Sequence, residues 1–308
     1  MIIFTPIFKI LQTINNVVQP KTFRQFLKMA NISLQQYNTA SHGQILNRCL
    51  ILKENQSDVS YKYVDDFIYV LAPFLEAVNV PDQFENIVVE EVFMPLVREV
   101  SYGGFFEAQL GNLPLTSLQQ VGSGSFSFNY FTVVNLSQLT TINYKNSFSN
   151  CPNLRLFIAS KLQNINQYCF SDCPTLKTIL TLNATIADFA FENCSEIRTI
   201  LASQGDFGCD CANCPRCKGN LQQCLENGQQ FAQSEEYRIL QGQELVDQKF
   251  VIYQPFMIEI DVLATNFARN TLVFCKLHNG QNKYIKSIQQ MAKLVFQLKS
   301  QVVIDQTE

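Results

Sequence analysis

The chain has 308 residues, 47% of them hydrophobic, so it is long enough to bury a large core. Its formal net charge of −3 provides no overall field that would favour nucleic acid or an anionic membrane surface. No apolar run approaches the roughly 18 residues that a membrane-spanning helix needs, and the apolar N-terminus lacks the basic region and cleavage site of a secretory signal.

Helical periodicity marks the first 70 residues. Apolar residues recur at helical spacing, first at Phe4, Ile7, Phe8, Leu11 and Ile14 and again at Phe23, Phe26, Leu27 and Ala30. We interpret residues 1–70 as a helical cap over the first turn of the repeat that follows, because solenoids need such caps to remain soluble. A helix that lies on a membrane surface is the alternative.

Residues 71–201 contain a repeat. The sequences FSNCPNL, FSDCPTL and FENCSEI begin at Phe148, Phe170 and Phe191, and earlier copies place the aromatic residue at Phe126, Phe106 and Phe84. An aliphatic residue precedes each phenylalanine and an aliphatic pair follows it, through six units. A unit of about 22 residues cannot bury a core alone, whereas stacked copies can. The sequence therefore predicts a repeat solenoid with a parallel β-sheet, short return legs and a buried spine of phenylalanines.

Each of the last three units carries a cysteine three residues after its phenylalanine, at Cys151, Cys173 and Cys194. Cysteines at one position of stacked turns would point in parallel into the core and not toward one another. We therefore interpret them as small, weakly hydrogen-bonding core residues and not as a disulfide or metal ladder.

Residues 202–246 interrupt the repeat with four cysteines in a stretch of nine residues, at Cys209, Cys211, Cys214 and Cys217. Four thiolates are a ligand set of tetrahedral zinc, but only two residues separate Cys211 from Cys214, whereas zinc fingers place their pairs much further apart. A metal site, a redox-active or disulfide-forming loop and a loop without chemistry therefore remain open, and no cofactor other than this zinc is expected. Because no secretory signal is recognised, we expect thiols in a cytoplasmic protein, with the cell surface as the alternative.

Residues 247–308 are expected to hold a degenerate repeat turn and a terminal cap. Val262, Phe267 and Leu272 reproduce the spacing found within the repeat. A basic amphipathic helix over residues 283–299 would close the solenoid, with a membrane surface or a partner's groove as the alternative.

The stretch from Cys173 to Cys194 resembles the BspA-type (Treponema-type) leucine-rich repeat, whose unit reads C-x-x-L-x-x-I-x-I-P and then V-x-x-I-x-x-x-A-F-x-x-C. The likeness is strongest over residues 136–200 and weakens before residue 126, where Asn129 takes the cysteine position. The resemblance implies a leucine-rich-repeat solenoid that serves as a binding scaffold, often in surface antigens of bacteria and protists. It implies no catalytic residues.

We therefore expect a non-enzymatic scaffold for protein–protein interaction. The chain has only two histidines and no glycine-rich phosphate loop, and basic and acidic residues balance in the repeat, so nucleic acid is not an expected partner. A protein regulated by metal or redox state through Cys209–Cys217 and a BspA-like surface antigen or adhesin are the alternatives. Peripheral contact with a membrane is possible but less favoured.

The predicted binding face follows from the strand pattern. In a strand of this repeat type, the residues that flank the second aliphatic position face outward, and many of them are apolar here. Exposed apolar surface of this kind usually marks an interaction site. We predict that a protein partner binds Phe93, Val133, Asn135, Leu156, Ile158, Thr178, Leu180, Thr199 and Leu201. The alternative is that a terminal segment of the chain folds back and covers this face.

Overall fold

The computed structural model describes residues 22–245 and, beyond them, residues 253, 256–260, 262–264, 267, 290 and 292–294. The helix predicted at residues 4–14 lies outside the described residues, as does most of the helix predicted at 283–299. Residues 262–264 and 267 are helical, so the prediction that a repeat turn resumes there is wrong for these residues. Ile258 and Val262, four residues apart, instead share one helix face and pack beside the N-terminal helices.

Two short helices and a hairpin open the described chain. Helices α1 (Phe23–Met29) and α2 (Leu34–Thr39) each begin with a capping box, formed in α1 by Thr22 and Gln25. Strands β1 (Gln44–Leu46) and β2 (Cys49–Ile51) pair antiparallel. Asn47 and Arg48 between them both have positive φ, as a two-residue turn between twisted strands requires.

From β2 onward the chain winds as a parallel solenoid of about seven turns. Its further strands are β3 (Tyr69–Leu71), β4 (Ala77–Val78), β5 (Glu91–Phe93), β6 (Glu99–Val100), β7 (Gln120–Val121), β8 (Val133–Asn135), β9 (Thr141–Ile142), β10 (Leu156–Ile158), β11 (Asn164–Ile165), β12 (Thr178–Ile186) and β13 (Thr199–Gln204). The predicted solenoid with its parallel sheet is confirmed, and it begins at β2, before the predicted start at residue 71.

Each turn has three sides. Strands β2, β3, β5, β8, β10, β12 and β13 form the front sheet, which is interrupted between β5 and β8. Strands β4, β6, β7 and β9 form the back sheet, and β11 pairs separately with the end of β12. The third side, which we call the turn face, consists of the tight turns that carry the spine phenylalanines.

A column of aromatic rings fills the core behind the turn face. Successive rings stack with centroids 5.1–5.8 Å apart and interplanar angles of 7–18°, in the order Tyr61, Phe84, Phe105, Phe126, Phe148, Phe170 and Phe191. The predicted spine is thus confirmed except at Phe106. Phe105 is fully buried in the column, whereas Phe106 is partly exposed, because neighbouring side chains leave the turn on opposite sides.

The turn face is built from left-handed residues. Two columns of them lie four residues apart in each turn, with φ of 52–64°, at Asp82, Gly103, Gly124, Asn146, Tyr168 and Phe189 and at Asn86, Glu107, Phe128, Asn150, Asp172 and Asn193. Backbone N–H groups of alternate residues donate to the next turn, for example from Phe148 to the carbonyl of Cys169 at 2.9 Å. These bonds join the turns along the third side.

The repeat cysteines are core residues, as predicted. The thiols of Cys151, Cys173 and Cys194 donate to the carbonyl oxygen of the spine phenylalanine one turn earlier, at 3.4, 3.2 and 2.9 Å. Asn129 makes the same contact with its Nδ2, at 2.8 Å. Burial raises the pKa of Cys151 and Cys194 well above the ordinary value, so these thiols remain protonated.

Different elements cover the two edges of the front sheet. At the first edge β1 pairs with β2, whereas the described N-terminal helices lie on the sheet itself and not over its end. At the far edge, helix α3 (Leu221–Ala232) packs on β13 so closely that a Cβ added at Gly228 would lie 2.0 Å from the carbonyl oxygen of Ile200. The side chain of Asn227 donates to the carbonyl of Arg198 at 2.8 Å. A further helix, α4 (residues 235–245), follows α3.

Candidate functional site

The predicted binding residues lie on the outer face of the front sheet. The parallel register aligns Val133, Leu156, Thr178 and Thr199 in one column and Asn135, Ile158, Leu180 and Leu201 in the next. Between these columns Val134, Phe157, Ile179 and Ile200 point into the solenoid core. The predicted residues therefore leave the sheet on the side away from that core.

The chain's own helices cover this part of the face. Phe231, Tyr237 and Leu240, from α3 and α4, pack on a set of residues that is at most 8% exposed, namely Val133, Leu156, Ile158, Leu180 and Leu201. Thr178 and Thr199 are buried as well, and Asn135 is partly exposed. The prediction that these residues form an open binding face is therefore wrong. A segment of the chain does fold back over them, but it is the segment of α3 and α4, within residues 202–246, and not a terminal segment as the alternative expected. Covering the face removes apolar surface from water, and this burial stabilises the fold by about 25 cal/mol for each Å².

Phe93, nearer the N-terminus, is also covered. Its ring lies 5.6 Å from that of Phe26 and 6.1 Å from that of Phe23, both in α1, and the side chain is 5% exposed. Ile258 packs into the same cluster. Phe93 is thus a core residue beneath α1 and not a free contact for a partner.

The turn face carries an open groove instead, which we call the turn-face groove. It has a volume of about 750 Å³, and its walls include the aromatic rings of Tyr102, Phe106, Phe128 and Tyr168. Tyr102 is 61% exposed, and the rings of Phe106 and Phe128 lie 5.2 Å apart. Buried serines line it more deeply, at Ser127, Ser149 and Ser171.

Acidic side chains dominate the charge of this groove. Its lining contains four carboxylates, at Asp82, Glu85, Asp172 and Glu192, and one ammonium group, at Lys62. Lys62 pairs with Glu85 at 2.5 Å and with Asp82 at 3.7 Å, so the opposite end, near Asp172 and Glu192, keeps its negative character. Such a lining favours a cationic ligand.

A smaller groove of about 430 Å³ adjoins it at the corner with the back sheet. Tyr102 and Tyr144 stand at its sides, and Tyr144 is 67% exposed. Sequence reasoning missed both grooves. The available signal was the presence of aromatic residues, such as Tyr102 and Phe128, close to the buried spine position. A turn that only faces solvent does not require aromatic side chains there.

The structure brings together the four cysteines that the sequence singled out. The Sγ atoms of Cys209, Cys211, Cys214 and Cys217 all lie within 4.8 Å of one another, and those of Cys214 and Cys217 are 3.6 Å apart. Ala212, with φ of 64°, turns the chain between Cys211 and Cys214. This left-handed residue lets closely spaced cysteines converge. Cys214 is buried and the other three are half-buried.

Backbone donors act on one of these thiols in particular. Burial acts to raise the pKa of Cys211, but N–H donors from Asn193, Asn213 and Cys214 outweigh it and lower the pKa to about 7. Burial raises the pKa of Cys209 and Cys214 instead. Near neutral pH Cys211 therefore forms a thiolate more readily than Cys209 or Cys214.

No helix within the described residues is both long enough and apolar enough to cross a membrane. Residues 98–205 match the family described as the BspA type leucine rich repeat region, in six copies. Among solved structures, a leucine-rich repeat protein from Bacteroides ovatus ATCC 8483 is similar, with 20% sequence identity and a TM-score of 0.44. The match covers 55% of this chain and 52% of that one, about half the length of each. No curated protein matches the chain. Over residues 98–205 the chain is therefore similar to the BspA-type leucine-rich repeat, as the sequence predicted.

Proposed function

We propose that this protein is a non-enzymatic interaction scaffold that binds an extended, basic segment of a partner protein in the turn-face groove. The observation that carries this proposal is the combination of exposed aromatic rings with a predominantly acidic lining, on a face that the described chain leaves open. The front sheet, by contrast, is covered by α1, α3 and α4.

The dimensions of the groove suit a short extended segment. Its lining runs through six turns, from Glu85 to Glu192, which at the spacing of parallel strands amounts to about 24 Å. An extended peptide rises about 3.3 Å per residue, so roughly seven residues would fill this length. An open groove of this length accepts a peptide without any movement of the covering helices.

The chemistry of the walls favours lysine and arginine. Cationic side chains pack on the faces of tyrosine and phenylalanine rings, and the adjacent carboxylates add ion pairs. One ring of the groove wall already makes such a contact within the chain, because Lys145 Nζ lies 5.8 Å from the centre of the Tyr168 ring. Tyrosine also contributes a large, rigid contact area, which makes it frequent at binding hot spots.

Two features of the lining support a non-enzymatic role. Neither histidine nor cysteine is among its residues, so the lining has no cysteine nucleophile and no serine–histidine pair. The carboxylates Asp82 and Glu85 lie several turns from Asp172 and Glu192, which separates the two groups too far for shared acid–base chemistry.

Fluorescence polarisation with defined peptides tests this proposal on the full chain. The probes are labelled ten-residue peptides that alternate lysine or arginine with alanine, and matched peptides in which glutamate replaces each basic residue. We expect binding of the basic peptides alone, with an affinity that falls as salt is raised.

Tyr102→Ala should weaken this binding about tenfold, the effect of losing a hot-spot side chain. Tyr130→Ala removes an aromatic side chain that is 49% exposed but absent from the groove lining, and it should leave binding unchanged. Equal binding of acidic and basic peptides, or equal effects of the two substitutions, would contradict the proposal.

A further inference from the structure

The four-cysteine loop has the geometry of a site for one tetrahedral metal ion. Zinc–sulfur bonds of about 2.3 Å directed to the corners of a tetrahedron place the sulfur atoms roughly 3.8 Å apart. The four Sγ atoms lie within 4.8 Å of one another, so a small contraction of the loop would bring them to that spacing. We propose that Cys209, Cys211, Cys214 and Cys217 bind one structural zinc ion that closes the C-terminal end of the solenoid.

The solenoid itself positions part of this site. The backbone N–H of Asn193 donates to Cys211 Sγ at 3.3 Å, and that of Cys214 donates to the same sulfur at 3.3 Å. Asn193 is the last residue in one of the left-handed columns of the turn face. Donors of this kind orient a metal-bound thiolate and partly neutralise its charge. The last repeat therefore fixes one ligand before any metal binds.

The position of the loop explains what the ion would do. Phe207 ends the aromatic spine by packing edge-on against Phe191 at 5.6 Å, and the following residues cover the end of the core without a strand or helix of their own. The ion pair between Arg216 and Asp206 is exposed and contributes little. A metal ion bound by four residues would cross-link this irregular segment and stabilise its fold.

The ligand set favours zinc in a structural role. Four thiolates are soft ligands in the number that completes a tetrahedral shell, whereas catalytic zinc sites use three protein ligands and keep one position open. Hydrolytic chemistry is therefore not expected at this ion.

The site also lies next to the helices that cover the front sheet. Cys217 is four residues before the start of α3 at Leu221, and Cys214 and Cys224 belong to the same buried cluster. We therefore expect loss of the ion to loosen α3 and, with it, the cover over Leu156 and Leu180.

Metal analysis of the full chain tests the proposal. Protein purified under reducing conditions without chelator should contain about one zinc ion per chain, measured by inductively coupled plasma mass spectrometry. Exchange for cobalt should produce thiolate-to-metal charge-transfer bands and the visible bands of a tetrahedral cobalt ion. Removal of the zinc should speed hydrogen exchange in α3.

Substitutions localise the ion. Cys214→Ser combined with Cys217→Ser should remove the zinc, whereas Cys224→Ser, which is not one of the four proposed ligands, should retain it. Should the double variant fail to fold, the zinc content and cobalt spectrum of the unmodified chain decide the matter. Protein that stays metal-free after added zinc, or that contains iron or disulfides in this loop, would overturn the proposal.

Discussion

Replacing Phe170 by alanine would remove the centre of the aromatic spine. The Phe170 side chain is fully buried, stacks on Phe148 and Phe191 at 5.8 Å each, and meets Phe157 edge-on at 4.7 Å. Deletion of a buried phenylalanine costs about 3–5 kcal/mol, and the loss of three aromatic contacts favours the upper end of that range. We expect the free energy of unfolding to fall by about 4–5 kcal/mol.

Urea unfolding followed by circular dichroism measures this loss, since the chain has no tryptophan to report by fluorescence. Tyr144→Ala removes an aromatic side chain that is 67% exposed, and its effect should stay within about 0.5 kcal/mol. Repeat proteins can unfold in steps, so the slope of the transition is compared as well as its midpoint. A loss below about 1 kcal/mol for Phe170→Ala would refute the role assigned to the spine.

Leu156→Asp combined with Leu180→Asp buries two charges beneath α3 and α4, so we expect the thermal unfolding midpoint to fall steeply in calorimetry. Gly228→Ala should push α3 away from β13, because the added Cβ would lie 2.0 Å from a backbone oxygen. The expected cost is about 1–3 kcal/mol by chemical denaturation. In protein stripped of metal, Cys211 should react with iodoacetamide before Cys209 and Cys214 do. Its rate should rise with pH and reach half its maximum near pH 7, because the thiolate forms as pH passes the pKa of about 7. Peptide mapping by mass spectrometry measures that rate.

Two of these predictions have an internal control, and the leucine double variant has a result that would contradict it. Gly242 lies in α4 with nothing within 4 Å of an added Cβ, so Gly242→Ala should be neutral or stabilise the protein by up to about 1 kcal/mol. A Leu156 and Leu180 double variant with an unchanged midpoint would show that the front sheet is open after all. Cys151 is fully buried, and its alkylation at the rate of Cys211 would contradict the assigned pKa.

The solenoid could be predicted because stacking requires the same kind of residue at the same place in each turn. The error at Phe106 has a simple cause. In the pair Phe105-Phe106 either residue keeps a spacing close to that of the repeat, and only the direction of the side chains in the turn distinguishes them. Tyr61 and Phe207 were missed because the aliphatic pattern on either side fades at the two ends of the stack.

The fate of the front sheet could not be read from the sequence. Strand residues such as Leu156 and Leu180 are apolar whether they contact a partner or the chain's own helices, so their residue type does not distinguish the two cases. The choice depends on long-range packing against Tyr237 and Leu240, which local periodicity does not encode. In the cysteine loop, spacing alone argued against a shared site. The left-handed backbone at Ala212 brings the thiols together. It could not be predicted, because alanine is not a residue type that indicates this conformation.

The left-handed columns of the turn face also govern how the chain acquires its structure. Bulky residues such as Tyr168 and Phe189 occupy this conformation at a local cost of about 1–2 kcal/mol each, so an isolated turn would favour other shapes. The cost is offset only when backbone N–H groups reach the carbonyls of an adjacent turn. A single unit emerging from the ribosome therefore stays unstructured until a neighbour is available. Order should begin at a few adjacent turns and spread along the chain in both directions.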